Sequence, residues 1–352
     1  MIAPAVKSFV PPALRAETEM PSSAIYVTAP LAGRLVPASS GITAHAPRFR
    51  PGHPVRALTP NAFHARGGDG VDRAVVVRTW SATAQRRIAR LGDAPLLYVI
   101  DDDVEAGVAD PNLPAAYRRK LRALQRNDHA DLVARAHKVL VPSRALEAKF
   151  ARRLGPDRVE RIAPSLLSHP SSLRHHDDPV LRVIYPNTRS HLADWASIWP
   201  QVRDHLATHP DVELTTFLHR EGRLADLANV EHRSSAPWPA FRGVLEEQRF
   251  HVALLPGLPT AFNRARSHNK LLECAVWGAV PVVSRHLPYA DLVEENGAGI
   301  VCDDRPDAWR GALDRLTEGA LRRRLAKANV ELAVRIGDPS IMRQRWESLL
   351  AL

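Results

Sequence analysis

The 352-residue chain has only two cysteines, Cys274 and Cys302, and both sit inside apolar segments. That argues against a disulfide framework or a cysteine metal site. Long apolar runs are missing too: nothing approaches the roughly 18 uninterrupted apolar residues of a membrane span. The N-terminus lacks a basic segment followed by an apolar core and a cleavage site, so the expectation is a cytoplasmic protein. No repeat of fixed short period is visible. Composition carries no strong bias either, with 45% hydrophobic and 24% charged residues, which excludes wholesale disorder and fibrous structure.

What is in excess is positive charge, a formal +10. It favours anionic partners: a phosphorylated substrate, an anionic lipid surface or nucleic acid. Much of it is arginine spread over helical segments, such as Arg118, Arg119, Arg122 and Arg126, where a solvated face is the ordinary explanation. No nucleic-acid motif or aromatic–basic interleaving accompanies the charge, so no specific nucleic acid is expected.

The length predicts two domains. Residues 1–23 hold four prolines and no apolar period, and read as a flexible tail. Ala24 to Val27, Ala74 to Val77, Leu96 to Ile100 and Val139 to Val141 are short apolar runs of the kind that form buried parallel strands. Helical patterns at Leu113 to His137 and Ala145 to Leu154 alternate with them, giving an N-terminal α/β domain over 24–165. Residues 166–179, rich in Pro, Ser and His, suit a linker. A second strand–helix series occupies 180–335: strands Val180 to Tyr185, Val212 to Phe217, His251 to Leu255, Val280 to Val283 and Gly299 to Val301, with helices near Trp195 to Leu206 and Asn269 to Trp277. The predicted fold class is α/β, with two Rossmann-like domains facing each other across a cleft, where ligands bind outside the carboxyl ends of the strands.

The segment Phe262 to Ser284, FNRARSHNKLLECAVWGAVPVVS, carries the chemistry. It leaves a buried strand through the Pro256-Gly257 turn and enters a helix that Ser267 can cap. Arg264, Arg266 and Lys270 crowd a helix end that already carries about half a positive charge, an unfavourable placement of roughly 0.3 to 1 kcal/mol each. An anion should offset it. Backbone N–H groups at a helix start, together with Arg and Lys, make a diphosphate site. Lys270, Glu273 and Trp277 share one face, opposite Leu271, Cys274 and Ala275. Glu273, one turn on, could accept the two hydroxyl protons of a ribose. The ordinary alternative is a solvated Lys270–Glu273 surface pair.

The pattern Arg266-Ser267-x-x-Lys270-x-x-Glu273, followed by Gly278, Pro281, Val282-Val283 and Ser284, resembles the donor-binding signature of GT-B glycosyltransferases, in particular bacterial members of the family 4-like, or group 1, type. The resemblance implies that Arg and Lys hold a donor diphosphate and that Glu273 holds the ribose. Where many retaining members carry a further Glu, this chain has Ala265. The loop Tyr185 to Asp194, with Ser190-His191-x-x-Asp194, is similar to one in bacterial members, and so is Tyr98 to Val104 (YVIDDDV) with Ala130-Asp131-Leu132 and Val139 to Ser143. The likeness spans about residues 70 to 310.

It implies an enzyme moving sugar from a nucleotide diphosphate-sugar (UDP-, GDP- or dTDP-linked) to a glycan or lipid-linked acceptor in cell-surface polysaccharide or glycan assembly. No cofactor is required, and peripheral contact with an anionic membrane face is expected. Asp102 or Asp103 and His191 are the candidates for proton handling; Asp194 and Asn263 are further cleft residues. On the residues alone, His191 reads equally as a helix-start hydrogen-bonding group. Residues 336–352, with Ile341, Trp346, Leu349 and Leu350 at helical spacing, form in that architecture a helix crossing back to the first domain.

Alternatives stay open. Asp101 to Asp103 at a strand end also resemble the metal-binding aspartates of single-domain GT-A transferases, or can cap the following turn. Three adjacent carboxylates repel, so a metal, an arginine or a helix N-terminus should neutralise at least one. A nucleotide-sugar epimerase of the same fold, and a basic nucleic-acid-binding or assembly protein, are the competing functions.

Overall fold

The structure is a computed structural model that describes residues 21–33, 49, 52–218, 227–234, 238–305 and 307–351. The chain builds two six-stranded sheets. In the first, strands β1 (Val55–Thr59), β2 (Ala62–Arg66), β3 (Asp72–Val77), β4 (Leu96–Val99), β5 (Lys138–Val141) and β6 (Val159–Arg161) lie side by side in chain order. β1, β2 and β3 pair antiparallel, and β3 through β6 pair parallel.

The second sheet is parallel throughout. It contains β7 (Leu181–Tyr185), β8 (Val212–Thr216), β9 (Val230–His232), β10 (Val252–Leu255), β11 (Val280–Ser284) and β12 (Ile300–Cys302), in the order β12-β11-β10-β7-β8-β9. The order reverses between β7 and β10, so the loops that leave their carboxyl ends diverge to opposite faces and open a crevice there. β10 and β11 are buried at every position, which is why VALL and VPVVS read as continuous apolar runs. Pro281 is accommodated within β11 opposite Ala253 of β10.

Three expectations are corrected. Ala24 to Val27 is not a strand: residues 21–32 are helical, and Ile25, Tyr26 and Val27 are buried. Four apolar residues in a row do not separate a buried helix from a buried strand. The covering element is the C-terminal helix Pro339–Leu350, which packs on residues 29–32. Its Trp346 is wholly buried and donates from Nε1 to the Tyr26 carbonyl at 2.8 Å, in a core shared with β2, β3 and β4.

Secondly, Leu113 to His137 is not one regular helix. It runs as Ala115–Leu124, a π-turn at Gln125–His129 and Ala130–Arg135. The extra residue seats the buried His129 ring against Tyr98. Thirdly, Trp277 does not share an exposed face with Lys270. It is fully buried, edge-on to Phe241 and Phe250.

Of the expected tail, residues 1–20 lie outside the described residues. The stretch 163–180 is irregular except for a turn at Arg174–Asp177. It packs closely on its neighbours, with Leu166 N–H donating to the Gly337 carbonyl and Ser171 N–H to that of Ala275. Among the described residues, no helix is long and apolar enough to cross a membrane.

Candidate nucleotide-sugar site

Two loops meet at the crevice. One leaves β7 at Pro186 and passes through a turn at Arg189–His191 into the helix Leu192–Thr208. The other leaves β10 at Pro256, makes the short helix Ala261–Arg264, whose N-cap Thr260 accepts from Asn263 N–H at 3.1 Å, and enters the helix Asn269–Trp277.

Asp194 ties them together. One carboxylate oxygen accepts from Leu258 N–H and from Asn263 Nδ2, each at 2.9 Å, and the other accepts from His191 Nδ1 at 2.9 Å. Burial works against this charge, but the His191 hydrogen bond, followed by the two loop donors, holds its carboxyl below the ordinary range. The arrangement fixes the His191 tautomer. With Nδ1–H given to Asp194, Nε2 carries the lone pair, and it accepts from the Arg266 guanidinium at 2.8 Å. Burial, reinforced by the Arg266 charge, brings His191 down to about 4, so the ring is neutral at pH 7.

Arg266, Lys270 and Glu273 come together at the tip of the Asn269–Trp277 helix. Lys270 Nζ donates to Glu273 Oε2 at 2.6 Å and reaches the Pro186 carbonyl at 3.5 Å, and Asn269 Nδ2 donates to Glu273 Oε1 at 2.8 Å. Glu273 is only 7% exposed, so this is not the solvated surface pair of the ordinary alternative. Arg266 lies over the Phe262 ring, and its Nε is buried with no hydrogen-bond partner among the described residues. Ser267 does not cap the helix. The cap position falls on His268, without a side-chain bond, while Ser267 Oγ accepts from the Tyr26 hydroxyl at 2.7 Å and from Asn269 N–H at 3.4 Å. Arg264 is exposed and its guanidinium sits on the Pro259 carbonyl at 2.9 Å.

The three aspartates ending β4 divide. Arg78, the residue after β3, bridges Asp101 at 2.6 Å and Asp102 at 2.7 Å; Ser22 also donates to Asp101. Asp103 caps the helix Val104–Ala109 through Ala106 N–H at 2.9 Å and pairs with Lys149 at 2.6 Å. The repulsion expected of three adjacent carboxylates is thus met by an arginine, a lysine and a helix N-terminus. For Asp102, burial is outweighed by Arg78 and then Arg266, and its carboxyl lies below the usual value. Arg78 has φ +60°, a left-handed backbone that costs a non-glycine residue about 1 to 3 kcal/mol.

Arg78 and Lys149 were not anticipated. The signal for Arg78 was present: β3 and β4 pair in register Val77 to Val99, so a cation just past one strand end stands near the aspartates just past the other.

The first half closes over the loop between β10 and the Asn269–Trp277 helix. Ser143 Oγ donates to the Ala265 carbonyl at 2.7 Å, and Phe262 and Ala265 belong to the core beneath the first sheet.

These paired sheets, with the switch point between β7 and β10, make the GT-B fold, that of two facing Rossmann-like domains; the single-domain metal-dependent alternative does not fit them. Among solved structures the chain is similar to TarM, at 10% identity and a TM-score of 0.56 over 84% of this chain and 64% of that one. It is also similar to WaaG, described as a glycosyltransferase involved in lipopolysaccharide biosynthesis, at 13% identity and a TM-score of 0.52 over 76% of this chain and 81% of that one. A third is sucrose-phosphate synthase from Thermosynechococcus elongatus, at 13% identity and a TM-score of 0.51 over 76% of this chain and 71% of that one. The chain spans less than two thirds of the length of TarM. No protein-family model and no curated protein matches it.

Proposed function

We propose that the chain is a glycosyltransferase whose donor is a nucleotide diphosphate-sugar, UDP-, GDP- or dTDP-linked. The observation that carries this is the half-buried cation pair Arg266 and Lys270 at a helix tip that faces the switch-point crevice. A buried ion pair such as Lys270–Glu273 is weak as a source of stability. It has a use if the lysine turns to a diphosphate and the glutamate to a ribose.

Departure of a nucleoside diphosphate develops negative charge on its terminal phosphate. Arg266 and Lys270, gathered at the helix start, would turn from His191 and Glu273 to that phosphate and stabilise the charge in the transition state. The acceptor, a glycan or lipid-linked hydroxyl compound, would enter from the first half, where a cavity of about 280 Å³ runs beside Arg78, Thr79, Tyr117 and Asp128. Asp102 is the carboxylate on that side with the Arg78 and Arg266 charges upon it; Asp103 is held by its helix cap and Lys149. Similar structures support the class: a single-residue mutant of S. aureus TarM is known in complex with UDP and α-GlcNAc-glycerol. Exposed Arg119, Arg122 and Arg126 support peripheral contact with an anionic membrane face.

The test is calorimetry of UDP, GDP and dTDP with the wild type, Lys270→Ala and Glu273→Ala. At least one nucleotide should bind the wild type and lose roughly tenfold or more in each variant, the equivalent of about 1.4 kcal/mol. Equal affinity in all three proteins overturns the assignment.

A further inference from the structure

His191 stands where the donor diphosphate of the proposed function would lie, but it holds no proton to offer an anion. Its Nδ1–H is committed to Asp194 at 2.9 Å, and its Nε2 lone pair is occupied by Arg266 at 2.8 Å. The guanidinium is itself incompletely used, since its Nε is buried and lacks a partner among the described residues, and a buried donor in that condition favours any anion that can reach it.

The charges around the ring are mixed. Arg266 and, more weakly, Lys270 from the Asn269–Trp277 helix oppose a proton on it, and Asp194 on its own helix favours one. Asp102, from the end of β4, interacts with the ring across the contact between the two halves. Burial opposes a proton most, and the opposing charge comes from the two cations that a diphosphate would neutralise. The favourable partner, Asp194, is pinned by two further hydrogen bonds and stays in place.

We propose that His191 is a proton-carrying ligand of the donor diphosphate: as the anion draws Arg266 onto itself, the exposed Nε2 lone pair takes one proton from solvent and donates it in a hydrogen bond to the same phosphate. Nδ1–H stays on Asp194 throughout, so the ring becomes an imidazolium held between two anions. The free ring, held near 4 by burial and Arg266, is the neutral starting state of this exchange. His191 is then a direct phosphate contact, and Asp194 is a positioning residue that acts through it. The inference rests on the donor-site reading.

The experiment is titration calorimetry of UDP, GDP and dTDP at pH 7.5 and 6.0, each in two buffers of different ionisation enthalpy, with the wild type and His191→Gln. Glutamine keeps a neutral donor and removes the titration. The wild type should take up more protons on binding than His191→Gln, by up to one per site. Its affinity should strengthen by up to about tenfold per unit fall in pH relative to the variant. Nucleotide binding with equal proton uptake in both proteins overturns this inference and leaves the donor site standing, whereas no binding of any of the three nucleotides removes the donor site and this inference with it. Should His191→Gln fail to fold, the imidazole ¹⁵N resonances of the wild type decide the matter. Nε2 must change from a lone-pair to a protonated signature when the nucleotide is added, and an unchanged lone-pair signature refutes the proposal.

Discussion

Replacing Asp194 tests how the crevice is assembled. The carboxylate is 5% exposed and receives three hydrogen bonds, from Leu258 N–H, Asn263 Nδ2 and His191 Nδ1, all at 2.9 Å. In Asp194→Ala all three donors lose their acceptor. Hydrogen bonds to a charged group contribute about 1.5–3 kcal/mol each, but such losses do not add, and breaking a buried pair typically costs about 3–5 kcal/mol in total. Against a folding free energy of about 5–15 kcal/mol, that is a large fraction. Asp194→Asn should cost less, because its one amide oxygen can still accept from Leu258 and Asn263. Its NH₂ group, however, then faces His191 Nδ1–H. The ring can relieve that clash only by moving its proton to Nε2, which sets a donor against the Arg266 guanidinium. Asp194→Asn should therefore keep most of the stability, with a loss of about 1–3 kcal/mol, and still lose nucleotide affinity. Denaturant unfolding together with nucleotide calorimetry reads both quantities. The reasoning is refuted if Asp194→Ala stays within about 0.5 kcal/mol of wild type, or if Asp194→Asn binds nucleotide as the wild type does.

Two further outcomes follow from the packing. His175, His176 and His251 cluster with ring centroids 4.4 to 5.2 Å apart; burial holds His176 at about 4 and His251 at about 3. Above the unfolded value of about 6.5 these rings are neutral in both states, and as pH falls below it only the unfolded chain gains protons, so denaturant midpoints should drop between pH 6.5 and 4; a flat profile would show that the rings accept protons in the folded state. Trp346→Ala removes a wholly buried ring and its bond to the Tyr26 carbonyl, and should cost about 3–5 kcal/mol; a loss under 1 kcal/mol would mean that the C-terminal helix is not needed to hold residues 21–32.

Five strands of the second sheet were legible in the sequence, most clearly the two buried on both faces: VALL and VPVVS can be little else once a helix pattern stands between them; β9, partly exposed, escaped. The cation-rich start of the Asn269 helix was legible for a local reason, as charge at the wrong end of a helix dipole. What escaped depended on partners distant in sequence. AIYV reads as a strand until Trp346, some 320 residues away, is known to cover it from a helix. The β1–β2 hairpin escaped because AFHAR and VRALT alternate poorly, with burial supplied by neighbours and not by pattern. Asp103 and Asp102 are adjacent and chemically identical, yet one caps a helix and the other meets Arg78. Only the direction of the chain after β4 decides between them.

The contact between the two halves bears on the proposed donor site. Phe262 and Ala265 belong to the loop that leads to Arg266, but their side chains sit in the core of the first half, where the Phe262 ring lies against Gly107 so tightly that a methyl group added there would meet it at 2.9 Å. Ser143 and Tyr26 reach the same loop through the Ala265 carbonyl and Ser267. Any movement that parts the halves must therefore pull on the segment carrying Arg266, while Asp194 anchors the beginning of that segment to the second sheet. On the proposed donor site this geometry would couple opening to diphosphate binding, because Arg266 lies between an anchor in one half and a plug in the other.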